Sequence, residues 1–342
     1  MKKSALTLLP GLFTLLFLLP MLFSACGGNN KKSENQSDGY AKAEGMIWNT
    51  TYHLTFRGPE SLADSALRVL EEVGRSLNVF DTTSLVSRVN RGNSVPVNTD
   101  FIRVYVMSKR VNKISGGAFD PTLGPLIAAW GFGPGHKATA DTARTDSLLA
   151  LCGIQKTRLS HDALVKENPA ISFNFSAIAK GFGCDRVAEM LTENGVKDYL
   201  VEIGGEIRAA GVSPSGGDWR VSVDRPVHGA SADSRESACI VAFTNMGMAT
   251  SGNYRNFHKD GSRIYGHTIS SKTGRPVQTD VISATVLAST AMEADALATA
   301  FMAAGSERTR EINNTLRRPV MLILADSTIW SSPQFTALIT ED

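Results

Sequence analysis

Apolar residues recur every three to four positions from Ser61 to Leu77, with Leu62, Ala66, Leu70 and Val73 on one face, which predicts an amphipathic helix. The same period spans about Thr99 to Ser115 and stops at Gly116-Gly117. Thr122 to Trp130 predicts a short apolar helix running into the loop G-F-G-P-G, and Asp146 to Cys152 predicts another. Polar and apolar residues roughly alternate from Trp48 to Phe56, the pattern of a strand. Ile171 to Phe175 reads as a strand feeding a helix that starts at Ser176 and ends near Asn194-Gly195. Further strands are predicted at Tyr199 to Ile203, Glu206 to Ala210, Trp219 to Val223, Cys239 to Thr244, Ile264 to Ile269 and Ile282 to Leu287. Residues 211 to 237 are rich in Pro, Gly, Ser and Asp and read as surface loops around one strand. Helices in blocks and strands in adjacent runs predict an α+β fold rather than strict βαβ alternation, and no internal repeat is visible.

One more helix, Ser289 to Gly305, is apolar on nearly every side. Thr290 with Glu293 forms a capping box and Gly305 stands at the position of a left-handed C-terminal cap. Asp295 and Thr299, one turn apart, have no such local use. A buried carboxylate is costly unless paired or bound to a cation, and these two oxygens share a face, so they can point at one hard ion such as Mg2+. The alternative is a helix whose polar pair faces water.

Composition narrows the field. A chain of 342 residues with 42% apolar content suits one large or two small domains with an ample core. Its 35 basic and 33 acidic residues balance once Lys2 and Lys3 are set aside, and no basic stripe points to nucleic acid. Lys2-Lys3, the apolar run Ala5 to Phe23 and the small residues before Cys26 read as a secretory signal over residues 1–25. Leu22-Phe23-Ser24-Ala25-Cys26 looks like a bacterial lipobox with Phe23 in place of the usual leucine, so cleavage would leave a lipidated Cys26; an uncleaved membrane helix is the alternative. Either way the folded part, residues 43–342, is expected outside the cytoplasm, on a flexible polar tether of residues 26–42. Cys152, Cys184 and Cys239 lack metal-ligand spacing and read as buried thiols.

Several segments carry candidate chemistry. Phe175 to Gly183, F-S-A-I-A-K-G-F-G, turns into a helix start with free N–H groups suited to phosphate, though helix packing explains its glycines as well. Asp120 in G-G-A-F-D-P-T reads as an N-cap for the following helix. Trp48 and Phe80 read in isolation as core aromatics. Ser251 and Arg255 in T-S-G-N-Y-R-N-F offer a hydroxyl and a guanidinium to phosphate or ribose, or form an exposed turn. His267, in Y-G-H-T-I-S-S-K-T-G-R-P-V and 28 residues before Asp295, is the candidate proton carrier, a lone strand histidine otherwise being structural.

The His267 segment resembles H-x-I-D-P-x-T-G-R-P of the FAD:protein FMN transferases, the ApbE family, in which an E-A-D-A-x-x-T helix follows at this distance. Gly116 to Thr122, Phe175 to Phe182, Tyr199 to Glu206 and Thr250 to Phe257 match further segments, making six in the family's order from about residue 43 onward. The resemblance implies mixed or antiparallel sheets with packed helices, arranged as two subdomains around a FAD cleft. It implies Mg2+ bound by Asp295, Thr299 and the Ala177 carbonyl, with His267 catalytic. Trp48, Phe80, Ala118, Phe119, Asp120, Asn174, Lys180, Ser251, Arg255 and Ile269 would border the dinucleotide. The implied reaction moves FMN from FAD to a Thr or Ser hydroxyl of a separate acceptor flavoprotein and releases AMP, since no acceptor-like D-G-x-T-G-A-T occurs in the chain. Hydrolysis of FAD to FMN and AMP, or simple flavin carriage, are the alternatives. Asn174 replaces the family's usual aspartate, Trp48-Asn49-Thr50 its Met-Gly-Thr, and Ser270-Ser271 its Asp-Pro.

Overall fold

Trp48 and Asn49 both adopt left-handed backbone, with φ of 49° and 62°, and form the turn that joins β1 (Tyr40–Ile47), which the sequence pattern did not show, to β2 (Thr50–Arg57), the strand expected at Trp48 to Phe56. The computed structural model of the chain describes residues 39–92, 94–133, 142–226, 236–252, 257–260 and 263–340. Cys26, the expected signal and Arg255 lie outside them, whereas Tyr40 to Lys42 of the expected tether are already in β1.

Helices α1 (Leu62–Leu77) and α2 (Leu85–Arg91) follow the hairpin, then strand β3 (Ser94–Pro96) and helix α3 (Thr99–Ser115). Gly116, at φ 64°, ends α3 in the left-handed conformation that an L side chain resists. Next come α4 (Gly124–Ala129), α5 (Thr142–Leu149), β4 (Thr157–Ser160), β5 (Ala163–Lys166) and α6 (Ala179–Glu193). Strands β6 (Tyr199–Ile203), β7 (Glu206–Ala210), β8 (Trp219–Asp224), β9 (Ser237–Phe243), β10 (Met246–Gly252), β11 (Phe257–Asp260), β12 (Arg263–Gly266) and β13 (Val281–Ala288) lead to α7 (Ala291–Ala304) and α8 (Ser306–Leu316). Strands β14 (Val320–Leu324), β15 (Ile329–Ser331) and β16 (Ile339–Thr340) close the chain.

Eight strands form one sheet in the order β1-β2-β6-β7-β10-β13-β14-β15, with every neighbouring pair antiparallel. Helices α6 and α7 pack on one face, with α1 and α3 outside them. The opposite face carries the β16-β9-β8 sheet through a core that includes Trp219, Phe243, Met248 and Leu287. Asp38–Asp342 forms one compact unit by its contacts, so the expected subdomains are parts of a single folded body.

Ile171 to Phe175 is extended but is not a strand; Ser172 makes one isolated bridge, to Leu123. Its side chains are apolar enough for a strand, and Ile171, Phe173 and Phe175 are indeed buried. Its peptide groups find other partners. Asn90 accepts from the Phe173 N–H at 2.7 Å and donates to the Phe173 carbonyl at 2.9 Å, and the Lys166 ammonium donates to the Ile171 carbonyl at 2.9 Å. Side chains thus do what a neighbouring strand would do, satisfying buried backbone groups.

Candidate active site

The seam between α6 and α7 sets the site. Gly181 lets the helices close: a Cβ there would lie 2.3 Å from the Ala291 carbonyl oxygen and 2.9 Å from Asp295 Cβ. Asp185, one turn along α6, accepts from the Ala291 and Met292 N–H groups at 2.9 and 2.8 Å and so caps the start of α7. Burial raises the Asp185 carboxyl to about 6 despite those two bonds. Within α7, Glu293 N–H reaches Thr290 Oγ1 as expected, but the Glu293 carboxylate completes no capping box. It bonds instead to Arg318 at 2.9 Å and Ser289 Oγ at 3.1 Å.

Asp295 is 3% exposed, which excludes the alternative in which it faces water. Its Oδ2 accepts from the Gly181 N–H at 3.1 Å. In an unbroken helix that N–H would go to the carbonyl four residues back, which belongs to Ala177. The diversion to Asp295 leaves the Ala177 carbonyl without that partner among the described residues, because residues 176–178 form a turn and α6 starts at Ala179, later than expected. No basic side chain of the described residues lies within 4.0 Å of Asp295, and burial raises its carboxyl while Lys180 and the Gly181 N–H oppose the rise. Thr299 lies one turn on and shares a hydrogen bond of 3.0 Å with Ser251. The sheet register explains that contact: Ser251 pairs with Ala284 and faces the helices, while Thr250 pairs with Thr285 and bonds to it at 2.9 Å.

Lys180 points to β7, its Nζ 2.5 Å from Glu206 Oε1. Glu206 is 3% exposed, and its Oε2 is buried with no hydrogen-bond partner. Burial raises the Glu206 carboxyl, against the pull of Lys180. Burial also opposes the charge on Lys180, but Glu206 and Asp295 outweigh it and raise the ammonium.

The remaining motifs dock in series. His267 stands one residue past β12 rather than within a strand, its ring edge-on to Phe132 at 6.3 Å and 67°. Beyond it, Ser271 Oγ donates to the Gly117 carbonyl and Trp130 Nε1 to the Gly274 carbonyl at 2.8 Å, fixing this turn on residues 116–130. The Asn174 N–H donates to the Pro121 carbonyl at 2.7 Å, and Asn174 Oδ1 accepts from the Ser176 N–H at 2.9 Å, which carries the series to Ala177 and Lys180.

Some expected contacts have other uses. Asp120 is not an N-cap, since Leu123 stands at that position of α4 and no side chain caps it; the Asp120 Oδ1 takes the N–H and hydroxyl of Thr122 at 2.8 and 2.6 Å and its Oδ2 the Ile154 N–H at 3.1 Å. Phe119 and Ile269, each 3% exposed, have their side chains in apolar clusters, and the Phe119 N–H and carbonyl are bonded to Ser115 Oγ at 3.1 Å and Asn112 Nδ2 at 2.7 Å. Ala118 is half-buried beside them. The Trp48 ring fills a notch between α1 and α6, where a Cβ on Gly74 or Gly183 would lie 2.6 or 2.7 Å from it. Phe80 is 51% exposed and available as a stacking surface. Cys152 and Cys184 are buried as expected and Cys239 is half-buried.

Glu206 and Asp185 escaped sequence reasoning as individual site residues. A carboxylate opening the otherwise apolar segment after Gly204-Gly205 was the available sign of the first; nothing local marked the second.

Comparison with known proteins shows the family and the fold. The ApbE family pattern matches residues 48–323. Proteins named FAD:protein FMN transferase from Vibrio cholerae and Haemophilus influenzae are 37% and 33% identical over 294 and 298 residues, covering 82% of this chain in each case and 86% and 85% of theirs. The solved flavin transferase ApbE of Vibrio cholerae superposes with a TM-score of 0.79 at 32% identity, over 87% of this chain and 99% of that one. The apo Pseudomonas stutzeri flavinyl transferase ApbE gives 0.79 at 28% identity, over 89% and 98%. With matched motifs, shared fold and this identity over most of its length, the chain belongs to the ApbE family.

Proposed function

We infer that the protein is an FAD:protein FMN transferase that uses Mg2+ and delivers FMN to a threonine or serine hydroxyl of a separate acceptor flavoprotein. The observation that carries the metal reading is the Gly181 N–H: by bonding Asp295 it frees the Ala177 carbonyl beside a buried carboxylate that has no cation partner among the described residues. Carboxylate, carbonyl and the Thr299 hydroxyl are hard oxygen donors, the chemistry Mg2+ takes, and a site with few protein ligands leaves room for phosphate oxygen and water. When bound, Mg2+ supplies charge neutralisation at the pyrophosphate.

The chain's own residues do the rest. Lys180 offers a cation to the phosphates beside Asp295. Phe80 and the backbone of Ala118, Phe119 and Ile269 border the dinucleotide, with Asn174 keeping the hydrogen bond but not the charge of the usual aspartate. Ser251 acts mainly by orienting the Thr299 hydroxyl. His267 accepts the proton of the acceptor hydroxyl; that oxygen forms a bond to the FMN phosphorus, the bond to the AMP oxygen breaks, and AMP leaves. A lipidated Cys26 would tether the enzyme to a bacterial membrane, on the periplasmic side.

The test mixes protein, FAD, Mg2+ and a candidate acceptor and follows covalent fluorescent flavin and AMP. His267→Ala is expected to bind FAD and to lose transfer. Full transfer by that variant refutes the role of His267, and release of free FMN without labelled acceptor in the wild type refutes transfer itself.

A further inference from the structure

The Lys180 ammonium sits within reach of two buried carboxylates and has taken one of them. Its side chain leaves α6 next to Gly181, whose N–H bonds Asp295, and the charges of both Asp295 and Glu206 act on it. Yet Nζ pairs with Glu206 at 2.5 Å and makes no ion pair with Asp295 within 4.0 Å. The stem is braced for this direction, since Gly204, at φ 61°, packs so close that a Cβ there would lie 3.3 Å from Lys180 Cδ and 2.7 Å from Thr50 Oγ1. Among the described residues Glu206 makes no other side-chain hydrogen bond or ion pair to another residue, and its Oε2 is buried and unpartnered, an arrangement that costs stability.

We propose that Glu206 is a positioning residue that holds Lys180 off Asp295 and so keeps that carboxylate open to a divalent cation. The inference rests on the cation reading given above. A lysine ammonium is a compact, mobile point charge, and beside buried carboxylates it pairs with one that has no other cation. Without Glu206 that anion is Asp295, and a cation would then bind only by displacing the ammonium. Glu206 removes the competitor while leaving its charge close enough to meet a phosphate.

The test measures Mn2+ binding to the FAD-free protein by electron paramagnetic resonance, so it does not depend on turnover. Glu206→Gln is expected to raise the Mn2+ dissociation constant about tenfold, which is within the coupling seen between contacting charged residues. Loss of one negative charge could weaken cation binding by itself, and the lysine separates the two causes. In a Lys180→Met background, adding Glu206→Gln should change the constant by less than about threefold. A tenfold loss that persists without Lys180 overturns the proposal, as does a Glu206→Gln protein that binds Mn2+ like the wild type. Should that variant fail to fold, the comparison of Lys180→Met with Lys180→Met/Glu206→Gln, in which the pair is neutral, still decides between an effect through Lys180 and one of plain charge. Absence of Mn2+ binding by the wild type overturns the cation reading itself, a result distinct from the others.

Discussion

Alanine at position 181 puts a number on how tightly the α6 and α7 seam is closed. On an open helix the change from glycine would stabilise by about 1 kcal/mol, because alanine loses less backbone entropy. Here the new methyl carbon would sit 2.3 Å from the Ala291 oxygen and 2.6 Å from its carbonyl carbon, both main-chain atoms that cannot swing aside. Ordinary contact requires the helices to separate by about 1 Å, and forcing such a shift on a packed core costs about 1–3 kcal/mol. The same movement stretches the 3.1 Å bond from Gly181 N–H to Asp295 beyond hydrogen-bond range, a loss of about 1.5–3 kcal/mol for a charged acceptor. Setting the helix gain against both losses leaves a destabilisation of about 2–5 kcal/mol, or roughly 3–8 °C in Tm for a domain of this size. Urea and thermal unfolding measure it. Gly183→Ala is the matched control on the same helix: its new methyl would meet the Trp48 ring at 2.7 Å and Ile203 Cδ1 at 3.2 Å, side chains rather than backbone, so its cost should be smaller. A Gly181→Ala protein as stable as the wild type, or a Gly183→Ala protein less stable than it, refutes the account of the seam.

Two further outcomes follow from the groups around this seam. Asn90→Ala removes both hydrogen bonds to the Phe173 peptide and should cost about 2–4 kcal/mol in urea unfolding while raising the KM for FAD, because the segment it holds leads to Asn174 and Ala177; a loss under about 0.5 kcal/mol would show that the segment is held otherwise. Asp185 is raised from 3.8 to about 6, so the folded protein binds this proton more tightly than the unfolded chain does between those values. Its contribution to stability is therefore largest at low pH and is lost as pH rises through about 6; between pH 7 and 4 the wild type should gain up to about 3 kcal/mol relative to Asp185→Asn, and a pH-independent difference between the two would contradict this.

Where side-chain pattern alone decides an element, the sequence was enough. Helix α3 spans Thr99–Ser115 as its period predicts, and α7 is buried on nearly every side because it is apolar on nearly every side. The Trp48-Asn49 turn stayed hidden because neither residue is the glycine that usually marks two successive left-handed positions, and its Trp is held there by the glycine notch on two distant helices. Strands β10 and β14 were missed for a related reason: Met246–Gly252 has small residues facing the helices, and Val320–Leu324 is buried on both faces, so neither alternates clearly. Residues 171–175 show the reverse failure, a strand-like pattern whose hydrogen bonds are made by Asn90 and Lys166.

The site divides along the same line. Asp295, Thr299 and His267 could be picked out as residue types at suggestive spacings, because a carboxylate in a greasy helix is conspicuous wherever it occurs. What would leave the carboxylate open to the proposed cation could not be read in this way. It depends on one backbone N–H of Gly181 turning from its own helix to a side chain 114 residues away, and on a glutamate on another strand that draws Lys180 aside. Both are choices between competing partners, and a sequence shows the partners without showing which is nearer. The choice is made by the glycine: only without a Cβ at 181 can α7 approach closely enough for Asp295 to outbid the Ala177 carbonyl, so the same missing atom that closes the core also frees the oxygen that we propose as a cation ligand.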